Sequence, residues 1–495
     1  MLLAAGVVPV RAAAAAAACS ALSTHALAQG TITSAERVEA GGFAPPNGSA
    51  EPFRTLPAFC RVAATLTPSA DSEIRIEVWM PVSGWNGKLQ AVGNGAFSGA
   101  IGYRALATAL ARGYAASSTD TGHAGGSAAF ALGHPEKLID FGWRAVHELA
   151  TTSKAIVSAY YDGPPRSSFW NGCSAGGRQG MKAAQQFPAD FDGIIAGSPA
   201  LDWTSRATQA VRLAAALEAN PAARLRPDQL PPLHRAAVAA CDRLDGLEDG
   251  LIGDPERCTF DASALQCREG SADTCLSPPQ LATVRSIYAS PPNPKTGRPV
   301  TGLARGSGLG WTELGWTASA RATGLDHFRF IVFKRPEWIL PLFNFDADVV
   351  RAEEVDNGTI NALDPNLKPF IDRGGKLIQY HGWSDPQISP GNSTQYYSRV
   401  ADTLGAAAIR DSYRLFMAPG MAHCSGGEGP NTFDMVSALE QWVEHNQPPA
   451  RIIAAHATGG AVDRTRPLCP YPQQAVYTGS GSVNDAAMFE CRLVR

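Results

Sequence analysis

Hydrophobic and polar positions follow two rhythms along this chain. From Ile74 to about Gly197, short runs of strand character alternate with longer stretches of helical spacing. Ile74–Met80 (IRIEVWM) alternates apolar and polar residues, the pattern of an antiparallel strand with one face buried. Lys88–Val92 predicts a second strand that runs into the glycine loop Gly93–Gly99. Tyr103–Arg112 predicts a helix and Tyr114–Ser117 a short strand. Trp143–Tyr161 has helical spacing, with Val146, Leu149, Ile156 and Val157 as its apolar positions. Ser167–Trp170, Arg178–Phe187 and Gly193–Gly197 continue as strand, helix and strand. Strands alternating with helices build a mostly parallel, doubly wound sheet of the α/β class.

Between about Leu201 and Phe370 that rhythm fails. The stretch is rich in proline, arginine and tryptophan and shows helices without clear intervening strands. It reads as an insertion, a lid over the C-terminal edge of the sheet. Strand character returns at Lys376–Tyr380, Tyr413–Met417 and Arg451–Ala455. Thr432–Glu444 puts Met435, Val436, Leu439, Trp442 and Val443 on one helical face.

At 495 residues the chain exceeds what one simple core usually holds, which agrees with a large insertion. Its 45% hydrophobic and 18% charged content describes an ordinary globule, and a net charge of −3 gives no electrostatic ground for nucleic acid or an anionic membrane surface. Met1–Val10 is apolar, Arg11 is the first charge, and Ala12–Ala18 is unbroken alanine, which together predict an export signal. Cleavage fits either before Cys19 or after Ala26-Leu27-Ala28. No later run reaches the ~18 apolar residues of a membrane span. Ten cysteines behind an export signal predict disulfides in an oxidising compartment, secreted or periplasmic. Local spacing suggests Cys241 with Cys258, Cys267 with Cys275 and Cys469 with Cys491, leaving Cys19, Cys60, Cys173 and Cys424. Oligomeric state leaves no trace in the sequence.

The chemistry centres on Trp170–Gly177 (WNGCSAGG), a Gly-x-Ser-x-Gly set between a strand and a helix. A nucleophilic serine belongs on such a sharp turn, where the amide that follows it faces the developing oxyanion. Ser174 is therefore the candidate nucleophile and Ala175 the candidate oxyanion donor. Gly95 of the early glycine loop is the candidate for the second donor, with Asn94 and Ala96 as alternatives. A serine hydroxyl needs a base and the base an orienting carboxylate, each on a loop after a strand. Asp385 follows Lys376–Tyr380 and His423 follows Tyr413–Met417, in the order serine, acid, histidine. His381 reads as a support for the acid loop and His123 as part of a structural turn. Cys173 and Cys424 adjoin the serine and the histidine, so a bond between them would tie nucleophile to base. A second cluster, Cys241–Leu251 (CDRLDGLEDGL), offers Asp242, Asp245 and Asp249 as hard oxygen ligands and the Leu247 and Leu251 carbonyls beside them. That composition suits calcium, although it is not an EF-hand.

These residues resemble the tannase and feruloyl esterase family of α/β-hydrolases, which also includes a mono(2-hydroxyethyl) terephthalate hydrolase. The likeness spans nearly the whole mature chain and includes Cys173-Ser174, Asp385, His423-Cys424, Thr31–Ala35 with Cys60, TDTGH (Thr119–His123), DFGWRAVHE (Asp140–Glu148) and RPLCPYP (Arg466–Pro472). The resemblance implies a serine esterase whose triad is Ser174, Asp385 and His423, with an active-site disulfide Cys173–Cys424. It also implies a structural calcium in the lid, held by Asp242, Asp245, Leu247, Asp249 and Leu251. A pairing of Cys19 with Cys60 is implied too, hence cleavage before Cys19 and five disulfides. The expected organisation is a signal peptide at 1–18, an α/β-hydrolase domain at 19–201 and 371–495, and a lid domain at 202–370. The substrate class implied is a small aromatic ester, feruloyl or hydroxycinnamoyl first, galloyl or terephthalate monoester next. A calcium-stabilised binding protein without catalysis on the same scaffold is the contrasting reading. Ala96 departs from a loop that is often richer in glycine.

Overall fold

The computed structural model describes residues 18–268, 273–313 and 318–494. The expected signal peptide, but for Ala18, lies outside them.

One mixed sheet of nine strands organises the chain: β1 (Gly30–Val38), β2 (Phe59–Leu66), β3 (Ile74–Pro81), β4 (Lys88–Val92), β5 (Ala115–Thr119), β6 (Ser167–Cys173), β7 (Gly193–Gly197), β8 (Lys376–Gly382) and β9 (Tyr413–Ala418). Their spatial order is β1-β2-β3-β5-β4-β6-β7-β8-β9. From β5 to β9 every neighbouring pair is parallel, while β1, β2, β3 and β5 pair antiparallel.

The parallel strands are short and apolar because both of their faces are covered. On one face Leu89, Trp170, Ile194 and Leu377 meet Val146, Leu149, Ile156 and Val157 of the helix Ala145–Tyr161, and Met181 of the helix Ala175–Gln186. On the other, Phe169, Ile195, Ile378 and Phe416 meet Leu106 and Leu110 of the helix Tyr103–Ala111, and Leu439 and Trp442 of the helix Met435–His445. Each such side chain contributes roughly 1.5–3 kcal/mol on burial. The helical spacings read in the sequence correspond to these buried faces.

Two features depart from the sequence reading. Arg451–Ala455, expected to rejoin the sheet, instead lies in β10 (Ile452–Thr458), which pairs with β11 (Ala461–Leu468) in a separate hairpin. Alternate residues along β10 point outward (Ile453 is exposed), so its pattern is that of a half-covered antiparallel strand. β1 and β2 were not anticipated from periodicity. Arg61 interrupts the apolar run of β2, yet it bonds Glu77 of the neighbouring β3 at 2.6 Å, a partner that only the pairing supplies. The segment between β7 and β8 contributes no strand to the sheet among the described residues and runs mainly through helices, including Trp203–Ala219, Leu230–Cys241, Pro278–Tyr288 and Phe345–Asp356.

Candidate active site

Ser174 sits between the end of β6 and the helix Ala175–Gln186, with φ 64° and ψ −122°. That backbone region costs a non-glycine residue on the order of 1–3 kcal/mol and persists only where its surroundings enforce it. Here they do. Its amide donates to Gly197 O at 2.9 Å, and its carbonyl accepts from Arg178 N at 3.0 Å and Ala200 N at 3.2 Å. Two glycines allow the close approach: a Cβ on Gly172 would lie 2.5 Å from Gly176 O, and one on Gly176 would lie 3.0 Å from Gly93 Cα. Arg178, fully buried, donates to the carbonyls of Gly142 at 2.8 Å and Ile360 at 3.1 Å, which ties the elbow helix to the DFGWR turn. Burial pushes its pKa down to about 10, against the opposing charge of Asp356. The sequence reading had given Arg178 no role; its position between two glycines and a glutamine was the available signal.

The candidate acid and base lie in the loops that follow two neighbouring strands. Asp385 lies in the turn after β8 and is completely buried. Its Oδ1 accepts from the amides of Gln387 at 2.8 Å and Ile388 at 3.0 Å. Its Oδ2 accepts from His423 Nδ1 at 2.7 Å and His381 Nε2 at 3.2 Å. Burial opposes ionisation, but the charge of His423 and the hydrogen bonds from His381 and His423 outweigh it and hold the carboxyl well below the usual carboxylate range. His423 lies in the loop after β9, and its neighbour Cys424 takes φ 65° to close the disulfide with Cys173. That bond sets the two Cα atoms 6.0 Å apart across 251 residues of chain. Among the described residues no hydrogen bond joins Ser174 Oγ to His423, whose Nδ1 bonds Asp385 Oδ2.

The glycine loop lies against the elbow. The Asn94 amide donates to Gln179 Oε1 at 3.1 Å, so it is not free to serve an oxyanion. A Cβ built on Gly95 meets nothing within 4 Å, and Ala96 has φ 44°. His123 holds this loop by bonding Phe97 O at 2.8 Å and stacking on Phe130 at 3.9 Å. Gly95 and Ala175 thus keep their amides clear of other bonds among the described residues.

The acidic loop is built differently. Asp242 accepts from the amides of Asp249 at 3.2 Å and Gly250 at 2.8 Å, and Asp249 is ion-paired to Arg466. Burial and the charges of Asp249 and Asp242 push Asp245 up to about 6, although Leu247 N bonds it. Asp245, Leu247, Asp249 and Leu251 all border one cavity of about 180 Å³. Among the described residues no group of three or more Asp, Glu, His or Cys side chains stands ready to hold a metal, so a complete ligand set would need the Leu247 and Leu251 carbonyls. A buried carboxylate facing like charge is a chemistry that a hard cation would relieve.

All ten cysteines are paired: Cys19–Cys60, Cys173–Cys424, Cys241–Cys258, Cys267–Cys275 and Cys469–Cys491.

A mostly parallel sheet wound on both faces, with a serine elbow after a central strand, defines the α/β-hydrolase class of carboxylic ester hydrolases. Within it the chain belongs to the tannase and feruloyl esterase family, whose model matches residues 60–492. It is 39% identical to an uncharacterised esterase of Xanthomonas campestris pv. campestris, over 97% of this chain and 92% of that protein. It is 32% identical to a probable feruloyl esterase B-1 of Aspergillus oryzae, over 90% of this chain and 86% of that one. The crystal structure of feruloyl esterase B from Aspergillus oryzae superposes with a TM-score of 0.90 at 30% identity, covering 96% of this chain and 99% of the other. Tannin acyl hydrolase from Aspergillus niger shares the fold, with a TM-score of 0.77 at 22% identity over 95% of this chain and 92% of the other.

Proposed function

We propose that the protein is an exported serine esterase acting on aromatic carboxylic esters of the feruloyl or hydroxycinnamoyl type. Ser174 attacks the ester carbonyl, His423 takes the hydroxyl proton and returns it to the leaving alcohol, and Asp385 orients His423 through Nδ1. The amides of Ala175 and Gly95 receive the oxyanion, and water then releases the acid from the acyl-serine. One observation carries the reading: a strained serine and a carboxylate-bound histidine are tied together by the Cys173–Cys424 bond. The feruloyl preference rests on the likeness to the fungal feruloyl esterases. Five disulfides favour an oxidising compartment and therefore export. No helix among the described residues is long and apolar enough to cross a membrane.

The segment between β7 and β8 is proposed as the lid. Calcium is proposed as its structural ion, held by Asp242, Asp245, Asp249 and the Leu247 and Leu251 carbonyls. It would supply positive charge to a loop that has too little, and takes no part in the chemistry.

The test is turnover of methyl ferulate, methyl gallate and a terephthalate monoester, with an active-site phosphonate as label. Highest kcat/KM on methyl ferulate and labelling at Ser174 are expected. Preference for methyl gallate would reassign the substrate, and failure to label Ser174 with no turnover would leave a binding protein.

A further inference from the structure

Gln379 and His381 share one face of β8 with Leu377, and Leu377 lies opposite Tyr413 of β9. The helix Gly391–Leu404 sets Ser393 against that face. Gln379, His381, Ser393 and Tyr413 are all shut away from solvent. A single file of hydrogen bonds runs through them to the acid. Tyr413 Oη bonds Gln379 Oε1. Gln379 Nε2 bonds Ser393 Oγ at 2.6 Å, and Ser393 Oγ bonds His381 Nδ1 at 2.7 Å. His381 Nε2 then faces Asp385 Oδ2 at 3.2 Å and Ile388 O at 3.1 Å.

The direction of this file follows from what each atom is able to do. Burial pushes the Tyr413 phenol far up, so it keeps its proton and gives it to the amide oxygen. The amide nitrogen donates only, so Ser393 Oγ accepts from it and has its one proton left for His381 Nδ1. Nδ1 then accepts, and the ring proton sits on Nε2, where both partners are acceptors. The reverse direction would turn the Nε2 lone pair toward a carboxylate and a carbonyl unless His381 were doubly protonated.

We infer that Ser393 and Gln379 are positioning residues that keep His381 as the neutral Nε2–H tautomer, so that Asp385 turns its charge to one imidazolium only, that of His423. The inference rests on the proposed triad. In that triad Asp385 stabilises His423 when it gains the serine proton. A second imidazolium on the same oxygen would share that stabilisation and lower it. Fixing His381 neutral removes the competitor and still leaves Asp385 a fourth donor.

The experiment is 15N NMR of histidine-labelled full-length protein with steady-state kinetics on an aryl ester. The wild type should show His381 with a proton on Nε2 alone. Ser393→Ala should give mixed tautomers or the imidazolium and lower kcat on the order of tenfold, the worth of one buried hydrogen bond, with KM nearly unchanged. Ser393→Thr keeps the hydroxyl and should restore both readouts. Gln379→Glu replaces the amide donor with an acceptor, so it should drive His381 to the imidazolium and lower kcat further. A kcat unchanged in both Ser393→Ala and Gln379→Glu would overturn the inference. So would a fall in kcat with the Nε2–H signature intact, since that is packing alone. The tautomer is read on the resting protein, so an active Ser174→Ala variant would remove the triad without deciding the state of His381.

Discussion

The rim at the ends of β6, β8 and β9 and the loop Asp242–Leu251 both bury carboxyl groups, yet they treat charge in opposite ways. At the rim one carboxylate, Asp385, receives four donors and stays ionised although no part of it reaches water. In the loop three carboxylates share a few backbone amides and Arg466, and Asp245 is driven toward protonation. The rim is complete by itself because strand ends and a disulfide hold every partner in place. The loop is short of positive charge. A site that satisfies its own charges fits the proposed chemistry, whereas like charges left facing one another are the ground on which calcium is proposed for the loop.

The largest expected effect tests the rim. Ser174→Ala should lower kcat on an aryl ester by about 10⁴-fold or more with an unchanged melting temperature, as loss of a nucleophile does. Undiminished turnover would remove Ser174 from the mechanism. Asp385→Asn should cost roughly 10³–10⁴ in kcat by misplacing the His423 proton. It also tests the sign of the charge. Because the folded carboxyl lies below its ordinary value of about 4, its contribution to stability is present above that pH and is lost as pH falls further. The melting-temperature gap between wild type and Asp385→Asn should therefore narrow in acid below about pH 4, and a constant gap would contradict the depressed value.

A smaller effect is expected where geometry rather than chemistry is removed. Cys173→Ala with Cys424→Ala should reduce kcat by about 10²-fold, the scale of a 1 Å misplacement, and affect stability less. Full activity with a lowered melting temperature would show that the bond serves only as a staple. The mildest effect belongs to the loop. Chelation should lower the melting temperature by a few degrees, and calcium at ~100 times its Kd should restore it. A melting curve indifferent to both would reduce the comparison to a solvated acidic turn against a working site.

Much of this was legible in the chain. Parallel strands buried on both faces read as apolar runs, and their helices carry a 3.6-residue period, so β4 to β9 were marked by pattern. Ser174, Asp385 and His423 each follow a strand, and the topology of parallel strands brings such positions to one edge. β1 was less legible because an edge strand with a register shift does not alternate cleanly, and β2 because apolar Ala63 takes a place on its half-buried face and blurs the alternation. The β10–β11 hairpin resembled a sheet strand because both draw on the same β-forming residues.

The order of residues alone determined which side chains are candidates for the proposed chemistry and which strands lead to them, since strand, turn and helix preferences are local. Only the tertiary structure decided the rest. It brought Asn94 to Gln179 and took its amide out of contention, buried Arg178 among carbonyls, and lined up Tyr413, Gln379, Ser393 and His381 behind Asp385. Those partners lie up to 182 residues apart in sequence. A hydrogen bond depends on where two atoms finish, and no short-range pattern records that.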